Sequence, residues 1–388
     1  MYIPYGKQNI DQADIDSVIE VLKSDWLTQG PSVERFEEAA KLQHRADYGC
    51  AVNSATSALH LACLALDVGE GDWLWTSPNS FTASANCGLY CGAKVDFVDI
   101  DSNTFNMCAE KLKIKLEEAE KTGKLPKVVI PVHFGGLSCD MQAIDSLSKK
   151  YGFSVIEDAS HAVGGSYLGN PVGSSAFSDI TILSYHPVKI ITTGEGGIAL
   201  TNDSNLAEKM HMLRTHGITR DADKMSNELQ GDWYYEQIDL GLNYRMTDIQ
   251  AALGVSQYAR LDKFVESRNR IAARYNEKLI DFPVVTQKVP SSSYSAYHLF
   301  VIKLTEENLV KNRKIIFSKM RDAGIGVNVH YIPIHTHPYY KSLGFNLGDF
   351  PESEKYYQSA LSIPMFPDLT DESQDFVLKV LEQSLNSN

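Results

Sequence analysis

Ile15, Val18, Ile19 and Leu22 recur at helical spacing behind Asp11, so the pattern predicts an amphipathic helix over 11–23 with Asp11 as its cap. Trp26-Leu27-Thr28-Gln29-Gly30-Pro31 breaks it, and a second helix starts near Val33. From residue 50 to 200, short β-branched runs alternate with helical stretches, and 94–99, 127–131, 154–158, 180–184 and 197–201 read as strands. Strands alternating with helices predict a mostly parallel sheet with crossover helices, an α/β fold. Val128-Val129-Ile130 is apolar without alternation, as a strand buried on both faces requires.

Near residue 220 the periodicity dissolves, and residues 220–236, rich in Asp, Glu, Gln and Tyr, read as an exposed excursion. Thr247-Asp248-Ile249-Gln250 is a capping box that opens a long helix, predicted to run to about Leu279. A strand at 297–304, a helix at 307–323 ended by Gly324, a strand at 325–331 and a helix at 371–385 follow. This predicts a large α/β domain over 1–246 and a smaller α+β domain over 247–388, led by a long linking helix. Gly169-Asn170-Pro171 reads as a hairpin turn.

Composition narrows the picture further. The chain has 388 residues, 43% of them hydrophobic and 22% charged, which excludes a disordered chain. Its 36 Lys and Arg against 49 Asp and Glu give a net charge of −13, the wrong sign for a nucleic-acid partner. No apolar run approaches the ~20 residues that span a bilayer, so no membrane partner is expected. The first residues show no basic segment followed by an apolar stretch, so no signal peptide and a cytoplasmic location are expected. Cys50, Cys63, Cys87, Cys91, Cys108 and Cys139 are scattered in apolar context and read as buried small hydrophobes, not a disulfide or zinc framework.

The most informative stretch is Ser184-Tyr185-His186-Pro187-Val188-Lys189, which runs on to Gly194-Glu195-Gly196-Gly197. A lysine just beyond a buried strand and before a glycine-rich turn sits at the carboxyl edge of the sheet, where open α/β sheets form ligand crevices. There an amine can lose its proton and act as a nucleophile. Val155-Ile156-Glu157-Asp158 is an apolar strand ending in an acid, suited to pair with a protonated pyridine nitrogen. Pyridoxal phosphate needs such an acid and such a lysine. Asn53-Ser54-Ala55-Thr56-Ser57 opens a helix whose free amides and positive dipole end suit a phosphate. Taken singly, these segments also fit a surface lysine, a helix cap at Asp158 and an ordinary N-cap at Ser54.

Taken together, they resemble the DegT/DnrJ/EryC1/StrS family of sugar aminotransferases, fold-type-I pyridoxal-phosphate enzymes. The likeness rests on residues 53–57, 78–83, 131–136, 157–162, 184–197, 241–252 and 329–333, in the family's order. It implies a large, mostly parallel seven-stranded sheet domain plus the smaller C-terminal domain. By matching position, Lys189 would be the Schiff-base lysine, Asp158 the partner of the pyridine nitrogen, and Phe81 the ring that stacks on the cofactor. Ser54, Ala55, Thr56 and Ser184 would bind the phosphate, and Asn243 would reach it from a neighbouring subunit, implying a homodimer with shared sites. His161 stands where many relatives carry Gln, beside the cofactor's ring oxygen. The resemblance places substrate contacts at Tyr5, Asp25, Trp26, Leu27, Thr28, Ala55, Ser184, Asn243, His330, Tyr331, Ile332 and Pro333.

Within the family, 25–30, 160–162, 186–193 and 330–333 are most similar to members that aminate C4 of a UDP-linked 4-keto-6-deoxy-N-acetylhexosamine, and the family resemblance implies L-glutamate as the amino donor. Another nucleotide-linked keto sugar and a non-catalytic sensor are the alternatives. Some relatives replace the lysine by His and dehydrate the sugar, but Lys189 is intact, so His186 is read as a structural or substrate-side group. His335-Thr336-His337 has no nearby acid or Cys in sequence, so no metal is expected. No cationic partner for the UDP diphosphate stands out, and the net charge of −13 implies that anions are held locally by amides and hydroxyls.

Overall fold

The structure, a computed structural model, describes residues 2–227 and 230–386; Met1, the excursion's Glu228 and Leu229, and Ser387 and Asn388 lie outside it. Seven strands build the larger sheet: β1 (Tyr48–Val52), β2 (Trp73–Thr76), β3 (Lys94–Phe97), β4 (Val128–Ile130), β5 (Ser154–Asp158), β6 (Ile180–Ser184) and β7 (Gly197–Thr201). They lie in the order β1-β7-β6-β5-β4-β2-β3. The pairs from β3 to β6 are parallel, and β7 runs antiparallel to both β6 and β1. This is the mostly parallel sheet that the alternating pattern predicts. Every residue of β4, β6 and β7 is buried, which explains why these strands are apolar without alternation.

Helix α1 (Gln12–Lys23) has the predicted cap, Asp11, in a capping box with Asp14. Its buried face differs from the expectation. Ile15, Ile19 and Leu22 are exposed, and the seam against the rest of the protein is Asp14, Ser17 and Val21. Polar pairing decides this: Asp14 meets Gln257 Nε2 at 2.6 Å and the Arg260 guanidinium, and Ser17 Oγ donates to the Ala252 carbonyl at 2.9 Å. Helix α2 (Pro31–His44) follows, then α3 (Ala55–Ala65) and α4 (Ala83–Tyr90).

The capping box at Thr247 and Gln250 is present, but the long helix it opens is two helices, α5 (Asp248–Tyr258) and α6 (Leu261–Lys278). The chain turns at Ala259–Arg260, where the Arg260 side chain is drawn to Asn9, Asp11 and Asp14. Likewise 307–323 divides at Asn312 into Glu307–Lys311 and Arg313–Asp322. Strands β8 (Val284–Thr286), β9 (Phe300–Leu304) and β10 (Ala360–Ile363) form an antiparallel sheet in that order. Helix α7 (Asp371–Asn386) and α6 cover it through Ile271, Tyr275, Val377 and Leu381.

The predicted strand at 325–331 makes only single bridges, from Ile325 to Ile3 and from Asn328 to Ser362. Ile3 belongs to this smaller core, so the N-terminal segment lies on the C-terminal part of the chain. Gly326 permits it, because a Cβ there would stand 2.7 Å from Tyr5 N. The hairpin at Gly169 forms, with Gly169 at φ +78°. The described part of the excursion is mostly exposed, and its ends, Ile218–Thr219 and Glu236–Gln237, pair as a short ladder. All six cysteines are unpaired; four are buried, while Cys91 and Cys108 are partly exposed. Among the described residues, no helix is long and apolar enough to cross a membrane.

Candidate active site

Asp158 closes β5 at the carboxyl edge of the sheet. Its backbone is fixed on both sides, with its N–H donating to the Pro131 carbonyl at 2.9 Å and its own carbonyl accepting from His133 N–H at 3.0 Å. Oδ1 accepts from Ser160 N–H at 3.2 Å, and Oδ2 accepts from the Ser84 hydroxyl at 2.6 Å. Strand alternation turns Glu157 to the other face, where it meets His133 Nε2 at 2.6 Å and the Ser178 hydroxyl at 2.5 Å.

Lys189 follows the end of β6 by five residues. Its N–H closes a turn onto the His186 carbonyl at 2.9 Å, and Thr192 Oγ1 ties the next turn to the Tyr185 carbonyl at 3.0 Å. Burial lowers the Lys189 amine to about 8, while the Asp158 charge opposes the fall. His186, by contrast, is exposed and lies 3.9 Å from the Glu195 carboxylate.

Three uncharged imidazoles share this region. His161 and His298 are pushed well below the usual histidine range by burial and by neighbouring cations, Lys189 among them, and His330 falls to about 3 for the same reasons. Gly135 N–H donates to His161 Nδ1 at 3.3 Å, so the neutral ring carries its proton on Nε2, 3.0 Å from Tyr331 Oη. Tyr331 Oη therefore accepts, and its own proton is left for another acceptor. The His298 ring packs 4.4 Å from that of His161, and among the described residues its buried Nδ1 has no hydrogen-bond partner. His330 binds Ser362 Oγ at 2.8 Å and packs against the Tyr5 ring at 5.5 Å.

The expected phosphate cradle is the start of α3. Ser54 Oγ caps it by accepting from Ser57 N–H at 3.1 Å, and the Ser54 carbonyl accepts from Ala58 N–H, also at 3.1 Å. That leaves the first-turn amides of Ala55 and Thr56 for a ligand. Strand β7 passes so close that a Cβ on Gly197 would lie 2.5 Å from Ala55 N. Buried Ser184 pairs with Gly197 across the sheet. Phe81 is 61% exposed, and its ring lies 6.3 Å from that of Tyr331.

Lys189, Asp158, His161, Phe81, Tyr331, His330 and Tyr5 are thus linked by contacts or by charge. The remaining expected substrate residues are fixed by contacts of their own. Asn243 is exposed, bridged to Thr215. Asp25, Trp26, Leu27 and Thr28 lie exposed between α1 and α2, tied to α5 through the Leu27 carbonyl and a Thr28–Thr247 bridge. Ile332 is exposed and Pro333 buried. Sequence reasoning missed Ser84, His298 and Asp248, which accepts from Gly30 N–H at 2.6 Å and Ser32 N–H at 2.7 Å and so holds the 25–30 loop. It also expected no acid near His335, whereas the fold brings Glu354 to 2.9 Å from His335 Nε2. Among the described residues, no group of three or more His, Cys, Asp or Glu side chains is placed to hold a metal.

The sequence profile of the DegT/DnrJ/EryC1/StrS aminotransferase family matches residues 8–382. The chain belongs to that family. It is 39% identical to a UDP-4-amino-4,6-dideoxy-N-acetyl-β-L-altrosamine transaminase of Campylobacter jejuni subsp. jejuni serotype O:23/36 (strain 81-176), covering 98% of this chain and 96% of that one. It is also 39% identical to the spore coat polysaccharide biosynthesis protein SpsC of Bacillus subtilis (strain 168), with the same coverage of each chain. Among solved structures it is similar to Helicobacter pylori PseC, an aminotransferase involved in the biosynthesis of pseudoaminic acid. The TM-score is 0.91 at 29% identity, over 100% of both chains. The fold is therefore the fold-type-I α/β architecture of this family, and the cofactor is pyridoxal 5′-phosphate. The residues present fit that group: an amine, a carboxylate already held by two donors, an uncovered aromatic ring and two amides at a helix N-terminus.

Proposed function

We propose that this family member transfers the amino group of L-glutamate to C4 of UDP-2-acetamido-2,6-dideoxy-β-L-arabino-hexos-4-ulose. The product is UDP-4-amino-4,6-dideoxy-N-acetyl-β-L-altrosamine. One observation carries the chemistry: Lys189, an amine lowered to about 8, faces the Asp158 charge and three uncharged imidazoles. The end-to-end identity to the Campylobacter jejuni transaminase supports the choice of sugar.

Pyridoxal phosphate, when bound, supplies an aldehyde for amines and an electron-withdrawing ring. Lys189 would hold it, with Asp158 at the ring nitrogen, Phe81 on the ring face, and Ser54, Ala55, Thr56 and Ser184 at the phosphate. At neutral pH a useful fraction of Lys189 is unprotonated. It takes a proton from the α-carbon of glutamate in the first half of the cycle and delivers one to C4 of the sugar in the second. His161, with its proton fixed on Nε2, donates without carrying charge. Tyr331, whose phenol proton is uncommitted, gives a donor to the substrate. Tyr5, His330, Ile332, Pro333 and the 25–28 loop line the sugar side. Asn243 serves the partner subunit of a homodimer, which suits its exposure here.

The test is Lys189→Ala. We expect loss of the cofactor's protein-linked absorbance and of turnover, with an unchanged far-UV circular dichroism spectrum. Sustained turnover by that variant would overturn the assignment.

A further inference from the structure

Asp158 receives a donor that no part of the motif reading anticipates. Ser84 is fully buried on α4, and its Oγ lies 2.6 Å from Asp158 Oδ2, 3.3 Å from the Phe81 carbonyl and 2.7 Å from Ser80 Oγ. A serine has one proton to give. The short contact to an ionised acceptor takes it, since charge-assisted O–H···O bonds are the shorter and stronger ones. Ser80, also buried, then donates to Ser84 Oγ, so the chain runs Ser80 to Ser84 to Asp158 and each bond polarises the next. Ser160 N–H holds the other carboxylate oxygen. A carboxylate offers about four acceptor positions, so these two bonds leave room for a third, charged donor.

We propose that Ser84 is a positioning residue, whose hydroxyl holds the Asp158 carboxylate in the orientation that presents its free acceptor positions to the ring nitrogen of the cofactor. The inference rests on Asp158 being the ring-nitrogen partner. Two consequences follow from where Ser84 sits. It stands three residues after Phe81, in the first turn of α4, so the residue expected on the ring face and the one that aims the ring-edge carboxylate are close in the chain. Losing the hydroxyl also frees the carboxylate to turn away from the ring nitrogen, which loosens the contact that keeps the ring an electron sink.

The experiment compares wild type, Ser84→Ala, Ser84→Thr and Asp158→Asn as cofactor-loaded protein. The readouts are ¹⁵N NMR of pyridoxal phosphate labelled at the ring nitrogen, steady-state kinetics with glutamate, and the thermal midpoint. For Ser84→Ala we expect the ¹⁵N resonance to move toward neutral pyridine and kcat to fall about 10- to 100-fold, the range set by a hydrogen bond to a charged group. KM for glutamate should change much less, because the bond acts on the ring and not on the donor. Ser84→Thr restores the hydroxyl and should recover most of both effects. A wild-type resonance and kcat in Ser84→Ala would overturn the proposal. So would a Ser84→Thr protein that melts like wild type but behaves like Ser84→Ala. If Asp158→Asn leaves the resonance unmoved, the reading of Asp158 itself fails; if it moves while Ser84→Ala does not, only the role of Ser84 fails.

Discussion

The Lys189 amine should react with aldehydes over a pH range where ordinary lysines do not. Burial brings it from 10.5 to about 8. At pH 7, that leaves roughly one Lys189 in ten unprotonated, against about one in three thousand for an unshifted lysine, a gain of about 300-fold. The Asp158 charge acts the other way, because a carboxylate favours the protonated amine. Asp158→Asn removes that charge and should therefore move the midpoint below 8, raising the neutral fraction at neutral pH. The assay mixes apoprotein with pyridoxal, which lacks the phosphate and so does not use the α3 cradle. It traps the adduct with cyanoborohydride across a neutral-to-alkaline pH series, and peptide mass spectrometry then quantifies modification at Lys189, with exposed Lys149 as the internal reference. A midpoint near 8 for Lys189, lower in Asp158→Asn, is the expected result. A midpoint near 10.5 would refute the burial argument, and an upward move in Asp158→Asn would refute the charge argument.

Four further outcomes follow from the same geometry. Gly197→Ala forces a Cβ to within 2.5 Å of Ala55 N and should weaken pyridoxal-phosphate binding at least tenfold, read by titration of the apoprotein. Asp248→Asn replaces a carboxylate that accepts two backbone N–H bonds and should cost about 1–3 kcal/mol in urea unfolding; a cost near zero would show that Asp248 does not hold the 25–30 loop. Tyr331→Phe leaves the His161 proton without its acceptor, so the His161 Nε2–H resonance should shift and KM for the sugar nucleotide should rise. Mixing Lys189→Ala with Asn243→Ala protein should recover activity, since a hybrid dimer has one intact site, roughly a quarter of all sites in a statistical mixture; no recovery would place Asn243 outside the partner's site.

What could be read in advance follows a physical line. Lys189, Asp158 and the Ser54 cap sit at ends of elements whose periodicity is local, so their places at the sheet edge are legible from the chain. Ser84 and Asp158 are 74 residues apart, and Asp248 is 218 from Gly30. No local pattern marks either pair, because each exists only once the sheet and helices have packed. The same holds for the turn at Arg260, whose partners Asn9, Asp11 and Asp14 lie at the other end of the chain. On α1 the apolar pattern misleads, because the hydrogen bond that Asp14 accepts and the one that Ser17 donates decide which face turns inward. The acid beside His335 is hidden for a related reason: Glu354 lies 19 residues on, and the fold closes the gap.

The net charge of −13 disfavours a broad basic surface, and the proposed site needs none. There the amides of Ala55 and Thr56 and the dipole of α3 would do locally what net charge does not. The central claim is amino transfer from glutamate to C4 of a UDP-linked keto sugar. Its most direct test is to incubate the cofactor-loaded protein with [¹⁵N]glutamate and UDP-2-acetamido-2,6-dideoxy-β-L-arabino-hexos-4-ulose, then examine the product by mass spectrometry and NMR. The account predicts ¹⁵N bonded to C4 with the altro configuration. Unlabelled product, or recovery of the keto sugar unchanged by protein that converts glutamate to 2-oxoglutarate, would contradict it.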